Sequence, residues 1–268
     1  MDISLFNNIP IDDFSDFLIN QEIKTLLLWK DYLDDKYYNE GDSGVSDIRY
    51  DILKDIIMSM EPTFVVGSKL REKDNRVNLP FWLGSADKIT PDNEDVFCRW
   101  KTKNSCESYI ISEKLDGVSC LLHFDNNKKL FTRGDGKIGA DISYLTSFIK
   151  IPDCKYNITL RGELIMSRKN FENYKDQYRN PRNMVAGLIG AKTARDGLDK
   201  IDFVVYEIVG DETMPKQSRQ LKKLISLGFN VVKYEKIDDL NMSSLSTTYI
   251  NYKNSSDYDI DGLIIQAD

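Results

Sequence analysis

A lysine followed by an aspartate and a glycine, Lys114-Leu115-Asp116-Gly117, lies between two apolar runs, residues 109–111 and 118–124. Both runs are predicted strands. A lysine at the end of a strand, directly before a tight turn, is held rigidly at the mouth of a sheet, which suits a nucleophilic amine. Gly117 permits the close backbone approach and the positive φ that such a turn often needs. By itself the pattern fits a solvated hairpin lysine equally well.

Further charged residues follow predicted strands downstream. Arg133-Gly134-Asp135-Gly136 comes directly after one strand, and Asp261-Gly262 lies at the start of another. Arg161-Gly162-Glu163 lies inside the apolar run 158–166, where a charged pair is costly unless it is partnered or functional. Asn180-Pro181-Arg182-Asn183 is typical of a helix start. These segments decide between the two interpretations of Lys114.

Two amphipathic helices are predicted near the N-terminus, one over residues 20–36 and one that begins near Ser46. The apolar stripe of the second helix is predicted from its spacing: Ile48, Ile52, Ile56 and Met60, widened by Leu53 and Ile57. Asp47, Tyr50 and Asp51 lie at i, i+3 and i+4 and share another face. Two carboxylates and a phenol on one face could hold a cationic, hydroxylated ligand, although a plain solvated face is the alternative.

Composition narrows the class of protein. The 268 residues are 41% hydrophobic and 29% charged, which is ordinary for a soluble globular chain. No apolar run reaches membrane-spanning length and the first residues are acidic, so we expect an intracellular, cytoplasmic protein with no membrane partner. The net charge of −7 argues against tight, autonomous nucleic-acid binding. The single histidine, His123, lies in an apolar strand pattern, so the chemistry must use lysine, arginine and carboxylates.

The pattern of predicted elements indicates an α+β protein with two domains. A small helical domain covers residues 1–68, and a strand-rich domain with several hairpins covers residues 69–268. Further helices are predicted at 92–101, 168–179 and 217–227, and further strands at 202–209, 229–234 and 260–266. Phe81 and Trp82 are expected in the core. The four cysteines form no C-x-x-C pair, so neither zinc nor a disulfide framework is indicated.

In order, the second domain contains KLDG, TRGDG, RGE, NPRN, VVYEI and DGLII. This set resembles the adenylation core of NAD-dependent DNA ligases, and the resemblance extends from Tyr37 to Gln266. The N-terminal tyrosines and acidic face, and the loop at residues 61–67, resemble the NAD-using branch in particular. The resemblance implies a helical domain that binds nicotinamide mononucleotide (NMN). It also implies a nucleotidyltransferase domain built on antiparallel sheets, the ATP-grasp-like fold of ligases and capping enzymes.

The resemblance also implies roles for single residues. Lys114 would attack the α-phosphorus of NAD, expel NMN and form a lysyl-adenylate, which then activates the 5′-phosphate of nicked double-stranded DNA. Asp116 and Asp261 would assist near the phosphate through Mg²⁺, and Arg133 and Arg182 would hold the phosphate. Glu163 would bind the ribose, and Tyr206 would stack on adenine. The residues expected to bind the cofactor are Tyr37, Tyr38, Asp47, Tyr50, Asp51, Ser85, Glu113, Glu163, Arg182 and Tyr206.

The sequence departs from the family pattern at three positions. A glutamate that the family has two residues before the lysine is Ser112 here, with Glu113 beside it, and a one-residue shift on a strand reverses the face. An arginine of the family falls on Gly190, where Lys192 or Arg195 would have to replace it. A lysine of the family falls on Gln266.

The sequence stops at Asp268 and contains no counterpart of the family's last adenylation motif, its oligonucleotide-binding barrel, its zinc module or its helix-hairpin-helix region. We therefore expect a truncated chain or a short relative, monomeric, that binds NAD, self-adenylates weakly and does not seal DNA. Two alternatives stay open: a nucleotidyltransferase that uses ATP or GTP, and an NAD-binding module that has lost catalysis.

Overall fold

The computed structural model describes residues 4–40, 44–61, 75–191 and 195–268. The N-terminal part is helical, with four helices in chain order: α1 (Ser4–Asn8), α2 (Ile11–Ile19), α3 (Ile23–Glu40) and α4 (Asp47–Met60). They enclose a core of their own, which includes Phe6, Phe14, Leu26, Leu53 and Ile57. Residues 4–61 are called the helical unit below.

The second part of the chain alternates strands with short helices. Its strands are β1 (Arg76–Asn78), β2 (Tyr109–Leu115), β3 (Val118–Asp125), β4 (Asn127–Thr132), β5 (Ile138–Ala140), β6 (Ile158–Met166), β7 (Ile201–Val209), β8 (Tyr234–Ile237) and β9 (Ile260–Ala267). Its helices are α5 (Glu94–Lys103), α6 (Arg168–Phe171), α7 (Pro181–Gly190), α8 (Gln217–Ser226) and α9 (Met242–Ser255). None of the described helices combines the length and the apolar character that a membrane span requires.

The strands form antiparallel sheets, as the predicted α+β class requires. One sheet has the order β8-β2-β9, a second has the order β4-β3-β6-β7, and β1 pairs with β5 in a short ribbon. Ile110 and Leu115 of the first sheet pack with Ile165 and Val204 of the second in one buried cluster. Because β2 ends in one sheet and β3 begins in the other, the turn between them joins the two sheets.

Several sequence predictions about the elements were wrong, each for a physical reason. Ile48 and Met60 are exposed, because the buried face of α4 is centred on Leu53, Ile56 and Ile57. Trp82 is exposed as well and Phe81 is only half-buried, whereas their neighbour Leu83 is buried in the core.

Two element boundaries also differ. The predicted helix over 168–179 shortens to α6, followed by turns. The predicted strand at 229–234 is replaced by a parallel bridge between Val231 and Val205, and regular pairing with β2 begins only at Tyr234. An apolar run cannot by itself tell which residue of the run begins to pair with a neighbouring strand.

The helical unit contains a buried ion pair. Nζ of Lys30 lies 2.6 Å from Oδ2 of Asp34, and the two residues are 1% and 2% exposed. The hydroxyl of Tyr50 donates to Oδ1 of the same carboxylate at 2.5 Å. Burial raises the pKa of Asp34, while the charge of Lys30 and the hydrogen bonds from Lys30 and Tyr50 oppose that rise. This network fixes α3 against α4.

Removing Lys30 should therefore be costly. We expect Lys30→Met to lower the free energy of unfolding by on the order of 3 kcal/mol, because it leaves the Asp34 carboxylate buried without its cation. The double variant Lys30→Met/Asp34→Asn should lose less, since the amide still accepts from Tyr50 and carries no charge. Urea unfolding followed by circular dichroism measures both. A double variant less stable than the single one would contradict this account.

Candidate functional site

The turn between β2 and β3 brings the chain unusually close to β6. A Cβ atom placed on Gly117 would lie 2.5 Å from the carbonyl oxygen of Leu164 and 2.8 Å from Cγ of Glu163. Both distances are shorter than real Cβ contacts, so a glycine is required here. The close approach places the end of β2, with Lys114 and Asp116, beside Glu163 on the neighbouring sheet.

Lys114 is held by Asp261. Its Nζ lies 2.6 Å from Oδ1 and 2.5 Å from Oδ2 of that carboxylate. Across the β2–β9 pair, Lys114 lies opposite Gly262 and Leu115 lies opposite Ile260. Asp261 is thus the extra residue of a β-bulge, and bulges redirect side chains. The Lys114 side chain is 46% exposed, so its amine is oriented and open to a ligand.

A second bulge positions Tyr206. On the β6–β7 pair, Arg161 lies opposite Glu207 and Gly162 lies opposite Val205, which leaves Tyr206 without a partner across the pair. Its hydroxyl donates to Oε2 of Glu163 at 3.3 Å and lies 3.1 Å from Oγ of Ser119. Its carbonyl oxygen accepts from the side-chain amide of Gln217 at 2.6 Å.

Glu163 is the most buried charged group of the site, at 8% exposed. Burial raises its pKa to about 7, although the positive charges of Arg182, Lys114 and Arg161 and the hydrogen bond from Tyr206 all act in the opposite direction. The carboxyl group therefore gains or loses its proton near neutral pH. Three cations, Arg182, Lys114 and Arg161, are thus close enough for their charges to act on the Glu163 carboxyl group.

Arg182 reaches the same place from α7. The helix begins at Pro181, and the side chain of Asn180 caps it by accepting from the backbone N–H of Asn183 at 2.7 Å. Nη1 of Arg182 donates to Oδ1 of Asp116 at 2.7 Å, and both side chains are about one third exposed. The NPRN segment therefore presents a guanidinium at the first turn of a helix, next to the residue that follows β2.

Arg133 lies on the loop that follows β4. Gly134 and Gly136 have positive φ angles of 54° and 95°, and the carboxylate of Asp135 accepts from the backbone N–H groups of Lys137 and Ile138. The backbone N–H of Arg133 donates to the carbonyl of Ser119 at 3.0 Å, which ties the loop to β3. Within the described part of the chain, no carboxylate forms an ion pair with its guanidinium.

Arg161 connects the site to the segment that precedes α5. Its Nη2 donates to the carbonyl of Gly84 at 2.5 Å, and its guanidinium lies over the Tyr206 ring, 5.9 Å from the centroid. Leu83 is anchored from the other side by a 2.9 Å bond from its N–H to the carbonyl of Gly136. Ser85, which we expected to bind the cofactor, follows directly and is exposed.

The acidic face of α4 reaches the same region. Oδ2 of Asp51 lies 2.9 Å from Nζ of Lys88, which belongs to the same segment as Ser85. Burial would raise the pKa of Asp51, but the hydrogen bond from Lys88 and the charges of Lys54 and Lys88 hold it below its usual value. Tyr50 instead bonds to Asp34, inside the helical unit.

Three further predicted residues cannot be placed in this way. The side chains of Tyr37, Tyr38 and Asp47 lie outside the described part of the structure, as do the loop at 62–67 and Lys192. The described backbone of α3 does lie beside α7, the helix that carries Arg182.

Glu113 is separated from the other candidate residues. It is buried on β2, and its side chain lies near Ser256 and Lys233, whereas the neighbouring Lys114 points to Asp261. Burial raises the pKa of Glu113, although the hydrogen bond from Ser256 and the charge of Lys233 oppose that rise, and its Oε1 atom has no hydrogen-bond partner.

The two other positions that depart from the family pattern lie on β9 and α7. Gln266 of β9 lies opposite Ile110 of β2. A Cβ atom placed on Gly190, the last residue of α7, would meet no atom within 4 Å.

Sequence reasoning did not assign roles to three residues that the structure brings into the group: Ser119, Arg161 and Lys88. A signal existed for Arg161, because it lies two residues before Glu163 on a strand and therefore on the same face. For Lys88 the sequence contains no such signal, since its contact with Asp51 depends on how the helical unit packs against the rest of the chain. Ser119 depends on the register between β3 and β6, which places it opposite Glu163.

Comparison with known families now adds to this geometry. The profile of the family described as "NAD-dependent DNA ligase adenylation domain" matches residues 92–268. The chain belongs to this family. The resemblance seen in the sequence motifs is thereby confirmed, and nothing in the comparisons favours either of the two alternatives.

Two relatives illustrate the range of the family. The DNA ligase of Acanthamoeba polyphaga mimivirus is 40% identical over 240 residues, which are 85% of this chain and 37% of that protein. The DNA ligase of Clostridioides difficile strain 630 is 29% identical over 287 residues, which are 93% of this chain and 42% of that protein. The chain thus spans about two fifths of the length of these curated relatives.

Solved structures show weaker likeness. The ATP-dependent DNA ligase from bacteriophage T7, in complex with ATP, shares 16% identity at a TM-score of 0.39, over 63% of this chain and 59% of that chain. An RNA ligase of Naegleria gruberi with AMP and Mn shares 15% identity at a TM-score of 0.39, over 76% of this chain and 56% of that chain. Likeness at this level supports no functional conclusion.

The raised pKa of Glu163 predicts a pH effect on stability. Between pH 4.5, the ordinary value for a glutamate, and about pH 7, the folded protein holds a proton that the unfolded chain has lost. The contribution of Glu163 to the free energy of unfolding therefore falls as the pH rises through this window, by up to about 3 kcal/mol, and is constant above it.

The variant Glu163→Gln isolates this effect. We expect the free energy of unfolding of the wild type, minus that of the variant, to become more negative as the pH rises from 4.5 to 7. Urea unfolding at several pH values measures the difference, in which contributions common to both proteins, such as those of Asp34 and Glu113, cancel. Parallel curves for the two proteins across this range would show that Glu163 does not titrate there.

Proposed function

We propose that this chain is the self-adenylating part of an NAD-dependent DNA ligase. Lys114 attacks the α-phosphorus of NAD, NMN leaves, and the resulting lysyl-adenylate activates the 5′-phosphate of nicked double-stranded DNA. The observation that carries the proposal is the grouping of an oriented, half-exposed lysine amine with Glu163, Arg182 and Tyr206, inside a domain of the ligase family.

The adenosine half of NAD is assigned to Glu163 and Tyr206. A carboxylate accepts hydrogen bonds from ribose hydroxyls, and the buried Glu163 lies near the Lys114 amine, whose charge acts on it. An aromatic ring stacks on a base. Since Arg161 lies over one face of the Tyr206 ring, we expect adenine against the other face. Ser85 follows Gly84, whose carbonyl accepts from Arg161, and we assign it to the same side of the site.

The phosphates are assigned to Arg182 and Arg133. Guanidinium groups bind phosphate oxygens in a fixed fork, and Arg182 lies next to the β2–β3 turn. Asp116, which pairs with Arg182, and Asp261, which pairs with Lys114, offer hard carboxylate oxygens, a donor type that suits Mg²⁺ shared with phosphate. Bound there, Mg²⁺ would neutralise negative charge on the phosphates. Asp261 orients the amine, which must lose its proton before it attacks.

The NMN half is assigned to the acidic face of the helical unit. Asp51 bonds to Lys88, whose segment also contacts the site where Arg161 donates to the Gly84 carbonyl, and this supports an extended ligand that spans from Lys114 to α4. We propose that Asp47 and Asp51 bind the positively charged pyridinium ring, and that Tyr37, Tyr38 and Tyr50 contact the ribotide. The hydrogen bond from the Tyr50 hydroxyl to the buried Asp34 holds the phenol in place.

The first test concerns the nucleophile. After incubation with NAD and Mg²⁺, peptide mass mapping should find an added AMP on the peptide that contains Lys114. The variant Lys114→Arg should carry none and should still bind NAD in calorimetry. Lys129→Arg is the matched control, since Lys129 is a half-exposed strand lysine paired with an aspartate away from the site, and it should react like the wild type. Adenylation of a different lysine would refute the assignment.

The second test concerns the choice of NAD. We expect Asp51→Asn to lower the rate of adenylation from NAD about tenfold, since the ring loses an ionic contact worth on the order of 1.4 kcal/mol. The control is Asp55→Asn, one turn further along the same helix and exposed. Labelled NAD at subsaturating concentration measures both rates. Equal rates for Asp51→Asn and the wild type would remove α4 from the binding site.

A further inference from the structure

Lys88 joins the helical unit to the nucleotidyltransferase domain. It lies between the anchored residue Leu83 and α5, and its Nζ donates to Oδ2 of Asp51 on α4 at 2.9 Å. Its side chain is 69% exposed, whereas that of Asp51 is 39% exposed. The lysine head is therefore a mobile partner for a better-fixed carboxylate.

Carboxylates from both domains act on Lys88. The hydrogen bond to Asp51 raises the pKa of Lys88; partial burial opposes this, and the charges of Asp51, Asp55 and Asp261 add to the rise. Asp261 is the residue that holds Lys114. Lys88 thus belongs to a segment that contacts α4 through Asp51 and the site through Gly84, whose carbonyl accepts from Arg161, the residue over the Tyr206 ring.

NAD carries a positive nicotinamide ring and a negative diphosphate, and both can compete for the partners of the Lys88–Asp51 ion pair. The proposed function assigns Asp51 to the pyridinium cation of the ligand, yet in the ligand-free protein Lys88 already bonds to that carboxylate. The same ligand brings a diphosphate, with two negative charges, to Lys114. A lysine on a flexible four-carbon stem that is released from Asp51 has an anionic partner within reach.

We propose that Lys88 is an exchangeable counter-ion that cedes Asp51 to the nicotinamide ring and then binds the diphosphate, on the side of the leaving NMN. This inference rests on the proposed function. In the transfer, Nζ of Lys114 forms a bond to the α-phosphorus, and the bond from that phosphorus to the bridging oxygen breaks. The electron pair leaves with the phosphate of NMN, whose added charge Lys88 neutralises, and the proton of Lys114 passes to Asp261 or to solvent.

The exchange predicts opposite effects of one substitution. In Lys88→Met, no lysine has to be displaced from Asp51. Nicotinamide riboside, a cation without phosphate, should therefore bind about two- to fivefold more tightly, which corresponds to the weak energy of an exposed ion pair. The same variant should form the Lys114 adenylate from NAD about tenfold more slowly, because the leaving phosphate loses a cation. Lys88→Arg, which keeps the charge, should restore most of the rate.

Lys54 offers a matched control. Its Nζ lies 3.5 Å from Oδ1 of the same Asp51, but it belongs to α4 itself. We expect Lys54→Met to bind nicotinamide riboside at least as tightly as the wild type and to be adenylated within twofold of the wild-type rate. Calorimetry with nicotinamide riboside and single-turnover mass spectrometry with NAD provide the two readouts for all variants.

The outcomes separate this inference from the proposed function. If the wild type is adenylated at Lys114 and Lys88→Met reacts at the same rate, the exchange is refuted and the proposed function stands. Weaker or unchanged binding of nicotinamide riboside to Lys88→Met also refutes it. If the wild type forms no adenylate from NAD at all, the proposed function fails, and the inference fails with it.

Discussion

The site depends on how closely the β2–β3 turn approaches β6. Gly117 leaves no room for a side chain between the turn and the Leu164 carbonyl, and this contact joins two sheets that carry different parts of the site. Lys114 belongs to the first sheet, whereas Glu163 and Tyr206 belong to the second. The shared apolar cluster behind the turn fixes the two sheets against each other. Each sheet also contains one β-bulge beside the turn, at Asp261 in the first sheet and at Tyr206 in the second. Because bulges redirect side chains, regular strand pairing alone does not determine where these two side chains point.

A second property of the site is that three of its cations are paired with carboxylates before a ligand arrives. Lys114 pairs with Asp261, Arg182 pairs with Asp116, and Lys88 pairs with Asp51. These pairs are partly exposed, so each is weak and can open at low cost. In the proposed binding mode, an incoming diphosphate would compete with carboxylates for these cations, and a pyridinium would compete with Lys88 for Asp51. Such a site favours a ligand that carries both a negative and a positive group, because the ligand can then replace the lost partner of the cation and of the carboxylate when a pair opens.

The sequence predicted the strands of the site well and its side-chain geometry poorly. Strand β6 has the predicted bounds of 158–166, since apolar residues and the flanking turns define it locally. Helix α7 was predicted from the Asn180 cap and Pro181, which are also local signals. Helix α9 was missed, because its Ser-, Thr- and Asn-rich sequence has low helix propensity and is stabilised by packing of Leu245 and Tyr252. Bulges, and the contact between Lys88 and Asp51, depend on residues far apart in the chain and leave no local pattern.

Strand register gives the two buried glutamates of the described residues different surroundings. Burial raises the pKa of both, but Glu163 lies among Arg182, Lys114 and Arg161, whereas Glu113 lies near Lys233 and Ser256 with one oxygen unbonded. Side chains alternate between the two faces of a strand, so the residue of β2 that shares the face of Lys114 is Ser112. Ser112 is buried and can offer a ligand only a hydroxyl or its backbone. In the proposed function, hydrogen bonds to adenine from this side of β2 would therefore be neutral, and the Glu163 carboxyl group on the neighbouring sheet is assigned to the ribose.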